Sequence, residues 1–254
     1  MTSPILVTGG TGTLGSLVVP LLRSAGREVR VLSRHPHEST DSGLTYVSGD
    51  LLKDEGTARA VEGAETVLHL AGGPKGDDEA TRNLVRAASA AGVRHFVHIS
   101  VIGADRVPLG YLRAQLAAER AVTDSGLPYT VLRAAQFHDL TLTVVRKMGA
   151  LPVVPAPGMR LQPVDPHDVA ARLVELALGD PVGRVADLTG PTVYELSDLI
   201  RGYLKASGKR RPVMPVRMPG KAGRAYRAGE NLSLDGADTG SRTWEDFLAE
   251  RVHA

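Results

Sequence analysis

Short apolar runs rich in β-branched residues alternate along the chain with longer stretches whose apolar positions recur every three or four residues. Ile5-Leu6-Val7-Thr8 predicts a buried strand, Val29 to Leu32 a second and Leu44 to Val47 a third. Thr66 to Leu70, Phe96 to Ser100 and Tyr129 to Leu132 follow in the same style. Helical spacing covers Thr13 to Ala25, with Leu14, Leu17, Val18, Leu21 and Leu22 on one face, then about Asp78 to Ala91 and about Tyr111 to Asp124. Strands that are apolar throughout and separated by amphipathic helices form βαβ units, with a parallel sheet covered on both faces. Right-handed crossovers then make the sheet doubly wound, an α/β fold.

After Gly149 the pattern changes. Leu151 to Pro157 is proline-rich and predicts a loop or a short edge strand. Asp165-Pro166-His167-Asp168 opens a helix to Leu178, Val185 to Thr189 predicts one more strand, and Val193 to Lys205 a helix. A short helix from about Trp244 to Val252 closes the chain. No internal repeat is present. The 254 residues suffice for one core, so residues 1–254 are expected to form a single domain, with residues 150–254 supplying most of a smaller substrate-binding lid region.

Composition narrows the function classes. Cysteine is absent, which excludes disulfides, thiolate nucleophiles and cysteine-held metal. Aromatic residues are 4% and the net charge is +2, too few and too balanced for a nucleic-acid binder. No apolar run is long enough for a membrane span, and Met-Thr-Ser-Pro leads directly into a strand without a secretory leader. A cytoplasmic protein is expected, with arginine and alanine usage typical of a GC-rich bacterial genome. Its partner is expected to be a small-molecule substrate, and the protein a monomer or homodimer.

The strongest chemical signal is Gly9-Gly10-Thr11-Gly12-Thr13-Leu14-Gly15, between the first strand and the first helix. Gly9 permits the tight turn, Gly12 lets a pyrophosphate approach the backbone, and Gly15 lets the helix pack on the sheet. The helix N-terminus offers N–H groups to the phosphates. The second strand ends Leu32-Ser33-Arg34 where an acidic residue would grip an adenosine 2′-hydroxyl. Arg34 can pair with a 2′-phosphate and Ser33 can donate beside it, which points to NADP(H). Asp50, in Gly49-Asp50-Leu51, can accept from the adenine amino group or serve its own turn, and the residues alone leave both open.

These segments, with His69-Leu70-Ala71-Gly72-Gly73, His98-Ile99-Ser100, Ser125-Gly126-Leu127-Pro128 and Asp168-Val169-Ala170, resemble the atypical, NmrA-like branch of the short-chain dehydrogenase/reductase superfamily. The resemblance implies a Rossmann-like sheet of about seven strands with the cofactor along its C-terminal edge. It also implies that Leu51, Ala71, Gly72 and Gly73 face the cofactor, and that Ala134 and Ala135 lie near the nicotinamide.

The superfamily's catalytic pattern is a serine followed by Tyr-x-x-x-Lys. Here Ser100 closes the fifth strand and Tyr111 follows, but the position four beyond Tyr111 is Gln115. Gln115 can hydrogen-bond a ribose yet supplies no cation to lower the phenol's proton affinity. Proton donation in a reduction tolerates this better than proton abstraction, so a reductase of a small carbonyl, enone or quinone is expected. The rival expectation is a non-catalytic NADP(H) sensor that binds a protein partner, since the fold alone decides neither. His138 is a further candidate, as a substrate ligand or an acid replacing the missing lysine. Asp165, His167 and Asp168 read as a helix cap and no metal site is expected.

Overall fold

The computed structural model describes residues 3–73 and 75–252. Met1 and Thr2, the start of the Met-Thr-Ser-Pro segment, lie outside the described residues. The chain divides into two compact units, each built from separated segments. The first comprises Met1–Ser100, Arg113–Leu132 and Val169–Val185, and the second Val101–Leu112, Arg133–Asp168 and Ala186–Ala254.

In chain order the elements are β1 (Ile5–Thr8), α1 (Gly15–Ser24), β2 (Val29–Ser33), β3 (Leu44–Ser48), α2 (Thr57–Val61), β4 (Thr66–His69), α3 (Asp77–Ala90), β5 (His95–Val101), α4 (Gly110–Thr123) and β6 (Tyr129–Ala134). Then come α5 (His138–Met148), β7 (Val154–Pro157), β8 (Arg160–Leu161), α6 (Pro166–Leu178), β9 (Gly183–Arg184) and β10 (Leu188–Thr189). The last are β11 (Tyr194–Glu195), α7 (Leu196–Ala206), β12 (Val213–Val216), α8 (Gly220–Ala228), β13 (Asp238–Thr239) and α9 (Trp244–Arg251).

The main sheet has nine strands in the order β13-β10-β6-β5-β4-β1-β2-β3, with β9 also on β6. β1 lies between β2 and β4, parallel to both. The strand order therefore reverses at β1, the place in such sheets where ligands bind at the C-terminal edge. Expectation and observation agree on the doubly wound parallel sheet. The count is nine rather than about seven. The extra strands are two-residue pairings, too short to leave a periodic signature. The strand expected over Val185 to Thr189 is shortened to β10, which pairs with Ala134 and β13, while β9 forms just before it and pairs with Thr130 and Val131.

Other boundaries shift for local reasons. α1 begins at Gly15, not Thr13, because Gly12 N–H closes a turn onto Gly9 O at 3.0 Å first. Its buried face is Val18, Val19 and Leu22, while Leu21 is exposed. α7 starts at Leu196 because Tyr194 and Glu195 pair antiparallel with β8. The proline-rich segment becomes β7, paired with β12 alone, where a missing N–H costs little.

Each unit has its own core. In the first, Leu6, Val67 and Phe96 of the sheet pack against Leu84, Val85 and Ala88 of α3. In the second, Leu199, Ile200 and Tyr203 of α7 pack with Trp244, Phe247 and Leu248 of α9. The first core also holds histidines. His95 Nε2 lies 2.8 Å from Thr130 Oγ1, and His98 stacks on His69 with ring centroids 5.3 Å apart. Burial pushes His98 down to about 4 from 6.5, against a small opposing pull from Glu119.

That depression fixes the sign of an acid dependence. The unfolded chain takes up a proton at this position as pH falls through 6.5, and the folded chain does so only at about 4. Stability should therefore fall between those values and level off below, by up to about 3 kcal/mol from this residue. Both His98 ring nitrogens lack a hydrogen-bond partner among the described residues, so His98→Leu should fold and show a flatter acid limb. Urea unfolding at a series of pH values measures this. An unchanged slope would rule out His98 as its source.

Candidate functional site

The nucleotide-type loop follows directly from backbone sterics. Gly9 has φ +70°, and a Cβ there would fall 2.7 Å from Ala71 N. A Cβ on Gly10 would meet the Val31 side chain at 2.8 Å, and one on Gly15 would lie 2.2 Å from Gly9 O. These three glycines are required by the protein's own packing. Gly12 differs, because a Cβ there meets only Gly9 O, at 3.3 Å. Thr11, Gly12 and Thr13 are exposed, and Leu14 and Gly15 are buried beneath them. The loop thus presents backbone at the N-terminus of α1, with space over Gly12.

The other C-terminal strand ends of the first unit lie at the same edge, as the parallel registers Thr8↔Leu32, Thr8↔His69 and Ser33↔Ser48 require. Ser33 is buried, its Oγ accepting from His35 N–H at 3.2 Å, and Arg34 beyond it is exposed. Asp50 serves its own turn, Oδ1 accepting from Leu52 N–H at 2.9 Å, which leaves Oδ2 for another donor. Leu51 is buried, and its carbonyl accepts from Asn83 Nδ2 at 2.8 Å.

A directed hydrogen-bond chain underlies the 71–73 loop. Ala71 N–H donates to Thr8 Oγ1 (3.3 Å), Thr8 O–H to His69 Nδ1 (2.7 Å), His69 Nε2–H to Thr81 Oγ1 (2.9 Å) and Thr81 O–H to the Asp77 carbonyl (2.6 Å). The Thr81 proton is committed to a carbonyl, so His69 must be the donor at Nε2 and the acceptor at Nδ1. Burial and the neighbouring His98 push His69 well below its ordinary range, consistent with this neutral tautomer. The Asp77 carboxylate continues the network. Oδ1 accepts from Gly73 N–H at 2.7 Å, and Oδ2 from Gln115 Nε2 in a very short contact.

Ser100 is buried at the end of β5, and its Oγ has no hydrogen-bond partner among the described residues. Gln115 is buried on α4, one turn beyond Tyr111, which is 48% exposed. In the second unit, Ala134 and Ala135 are buried and tied to the sheet, Ala134 O accepting from Ile102 N–H (3.1 Å) and Ala135 N–H donating to Leu188 O (2.9 Å).

His138 starts α5 and is fully buried against Trp244 and Phe247, with ring centroids 5.7 and 5.1 Å away. This is a packing environment without solvent access. Burial holds His138 below its ordinary range, although Asp165 opposes the shift. Asp165 Oδ1 accepts from His167 N–H at 2.8 Å as an N-cap does, and Asp168 takes Ser241 N–H at 3.0 Å. Burial would raise Asp165, but the hydrogen bonds from His167 and the Arg242 charge hold it below its usual range.

The sequence profile of a family described as NAD(P)H-binding matches residues 9–179, which takes in the glycine loop, the 71–73 loop, Ser100, Gln115 and both strand-end positions of β2 and β3. The chain belongs to that family. A (4-alkanoyl-5-oxo-2,5-dihydrofuran-3-yl)methyl phosphate reductase of Streptomyces griseus is 34% identical over 194 residues, 74% of this chain and 68% of that protein. Quinone oxidoreductase 2 of Escherichia coli is 26% identical over 215 residues, 81% of this chain and 75% of that protein. Among solved structures, an Escherichia coli NADPH-dependent quinone oxidoreductase complexed with NADPH superposes with a TM-score of 0.82. It is 22% identical, and the match covers 97% of this chain and 99% of that one. The superposition establishes the fold, and the profile the NAD(P)H-binding character.

The residues of this NAD(P)H-binding protein fit the cofactor by two independent marks. Gly12 leaves a cradle that its Cβ would fill, and Ser100 is a buried hydroxyl with no hydrogen-bond partner among the described residues. Sequence reasoning missed Thr8, His69, Thr81 and Asp77. Asp77 was hidden in the acidic first turn of α3, which reads as ordinary helix-dipole pairing.

The glycines make a clean pair of variants. Gly12→Val should fold with a near-normal melting transition and lose the upward shift that NADPH gives by mass action. Gly15→Ala should lose stability itself, because its Cβ meets backbone at 2.2 Å. Thermal melts with and without NADPH read both. A full cofactor shift in Gly12→Val would reduce the loop to a structural turn.

Proposed function

We propose that this protein is an NADPH-dependent reductase of a small organic acceptor of the quinone, enone or ketone class. The observation that carries the cofactor choice is Arg34, exposed immediately after β2 where an acidic side chain would select NADH. The reductase names of the two curated relatives support the reaction class, and the quinone oxidoreductase among them supports the acceptor. Bound NADPH supplies a hydride. The chain's own residues hold the cofactor, orient the acceptor and deliver a proton. In this reading Ser100 Oγ, without a hydrogen-bond partner among the described residues, hydrogen-bonds the acceptor oxygen. Tyr111 delivers the proton from its exposed phenol, and Gln115 holds a ribose hydroxyl. No lysine stands four residues on to draw the proton from the phenol, which suits donation rather than abstraction.

One observation favours the sensor reading instead: the residue in the lysine position is an amide engaged by Asp77. Turnover separates the two. Cofactor oxidation is measured against a panel of quinones, enones and ketones. A reductase consumes NADPH with at least one of them, and a sensor with none.

Arg34→Ala should weaken NADPH binding by about 1.5–3 kcal/mol, the range for a hydrogen bond to a charged group, and leave NADH nearly unchanged. Calorimetric titration of both cofactors decides it, and equal affinities in the parent protein would sink the NADPH assignment. Tyr111→Phe should lower turnover by about 10²–10⁴-fold while cofactor affinity holds. Full activity in that variant would remove the tyrosine from the mechanism.

A further inference from the structure

Asp77 stands where three parts of the first unit meet. Its backbone carbonyl ends the chain of hydrogen bonds that begins at Ala71 N–H and runs through Thr8, His69 and Thr81. One carboxylate oxygen holds Gly73 N–H, and the other holds Gln115 Nε2. The side chain is buried, so these bonds do not compete with bulk water. Gly72 and Gly73 press close, as a Cβ on either would meet a carboxylate oxygen at 3.7 Å.

The chemistry of the pair fixes an orientation. A carboxylate only accepts, so the Gln115 amide must turn its NH₂ end toward Asp77. Its Oε1 then becomes the end directed away. We propose that Asp77 is a positioning residue that locks the Gln115 amide and the 71–73 loop together, so that Gln115 Oε1 accepts from a ribose hydroxyl of the bound cofactor. This rests on the reading of Gln115 as the ribose-holding residue. In place of a lysine donor, the site has an oriented acceptor whose orientation is set by a neighbouring carboxylate.

Protonation or replacement of that carboxylate should have one and the same effect. In Asp77→Asn, Gly73 N–H keeps the side-chain oxygen and the new NH₂ faces Gln115. The glutamine must then reverse to accept, presenting its own NH₂ to the ribose. A proton on Asp77 Oδ2 forces the same reversal. Burial raises the Asp77 carboxyl above its usual range, the two donated bonds oppose this, and the like charge of Asp78 adds to it. The next residue facing the chain, His69, is neutral and stays so. The oriented state therefore belongs to the ionised carboxylate and is lost as pH falls through its raised midpoint.

The experiment measures NADP⁺ affinity by calorimetry from pH 5 to 8 in the full-length parent, Asp77→Asn, Gln115→Ala and the double variant. Ratios between variants cancel the titration of the cofactor's own phosphate. The Asn variant should bind up to about tenfold more weakly at pH 8, the upper scale of one hydrogen bond between neutral groups. That ratio should shrink toward one as pH falls. In the Gln115→Ala background, Asp77→Asn should have no further effect. A role confined to fold stability would lower the melting temperature of the free protein and give additive, pH-independent losses, which would overturn the proposal. If Asp77→Asn fails to fold, the parent against Gln115→Ala serves instead: its penalty should fade with acid, and a constant penalty overturns the proposal. A parent protein that binds no NADP⁺ at any pH would instead overturn the cofactor reading, a result distinct from binding without coupling.

Discussion

The whole C-terminal edge of the sheet depends on one close approach of backbone to backbone. The turn after β1 folds back so tightly that Gly9 O sits where a side chain at position 15 would begin. Only then can α1 start directly over β1 and aim its first N–H groups out of the sheet. Gly9 also lies against the backbone of Ala71, so the β1 and β4 loops are in contact on either side of the reversal in strand order. Three glycines answer to this internal packing. The fourth, Gly12, answers to what binds, and that difference separates a folding constraint from a functional one within a single motif.

Burying polar strand ends at such an edge imposes a second constraint. Thr8, His69 and Thr81 carry hydrogen-bonding groups into a region without water, where each unpaired group would cost roughly 1–3 kcal/mol. The solution is a chain in which every donor is used once and in one direction, from Ala71 N–H to the Asp77 carbonyl. Such a chain tolerates only one tautomer of His69. It ties the glycine-loop strand, the 71–73 loop and the start of α3 into one unit that a ligand meets already organised. Ser100 and His98 are exceptions nearby, buried without hydrogen-bond partners among the described residues. The serine lies at a strand end, where a ligand can complete it. The histidine sits deeper, and its cost appears as depressed basicity.

The sheet was legible in the sequence because its strands are apolar on both faces and its helices on one. That contrast survives in Ile5-Leu6-Val7 and in Leu84, Val85 and Ala88 without any knowledge of tertiary contacts. The glycine loop was legible because its spacing is a backbone requirement. β9, β10 and β13 were not legible as they stand, since a two-residue strand has no period and exists only through its partner. The Asp77 network was invisible for a related reason. An acidic residue in a first helical turn has a sufficient local explanation, and nothing in the sequence announces Gly73 N–H and Gln115 as its partners.

His138 illustrates the opposite error and its physical origin. A histidine just after a C-terminal strand end invites a catalytic reading, because ligands gather there in doubly wound folds. Position along the chain does not reveal which way the ring turns. Here it turns into the second unit's aromatic core, against the stacked Trp244 and Phe247 rings, with Asp165 3.8 Å from Nδ1. Asp165 is already engaged by His167 and by Arg242 at 3.4 Å, so its charge is balanced without a proton on His138. The ring can therefore stay neutral and behave as a polar core aromatic. Tyr111, by contrast, is an exposed residue one helical turn from Gln115. Of the two residues offered as proton donors, only the tyrosine is exposed.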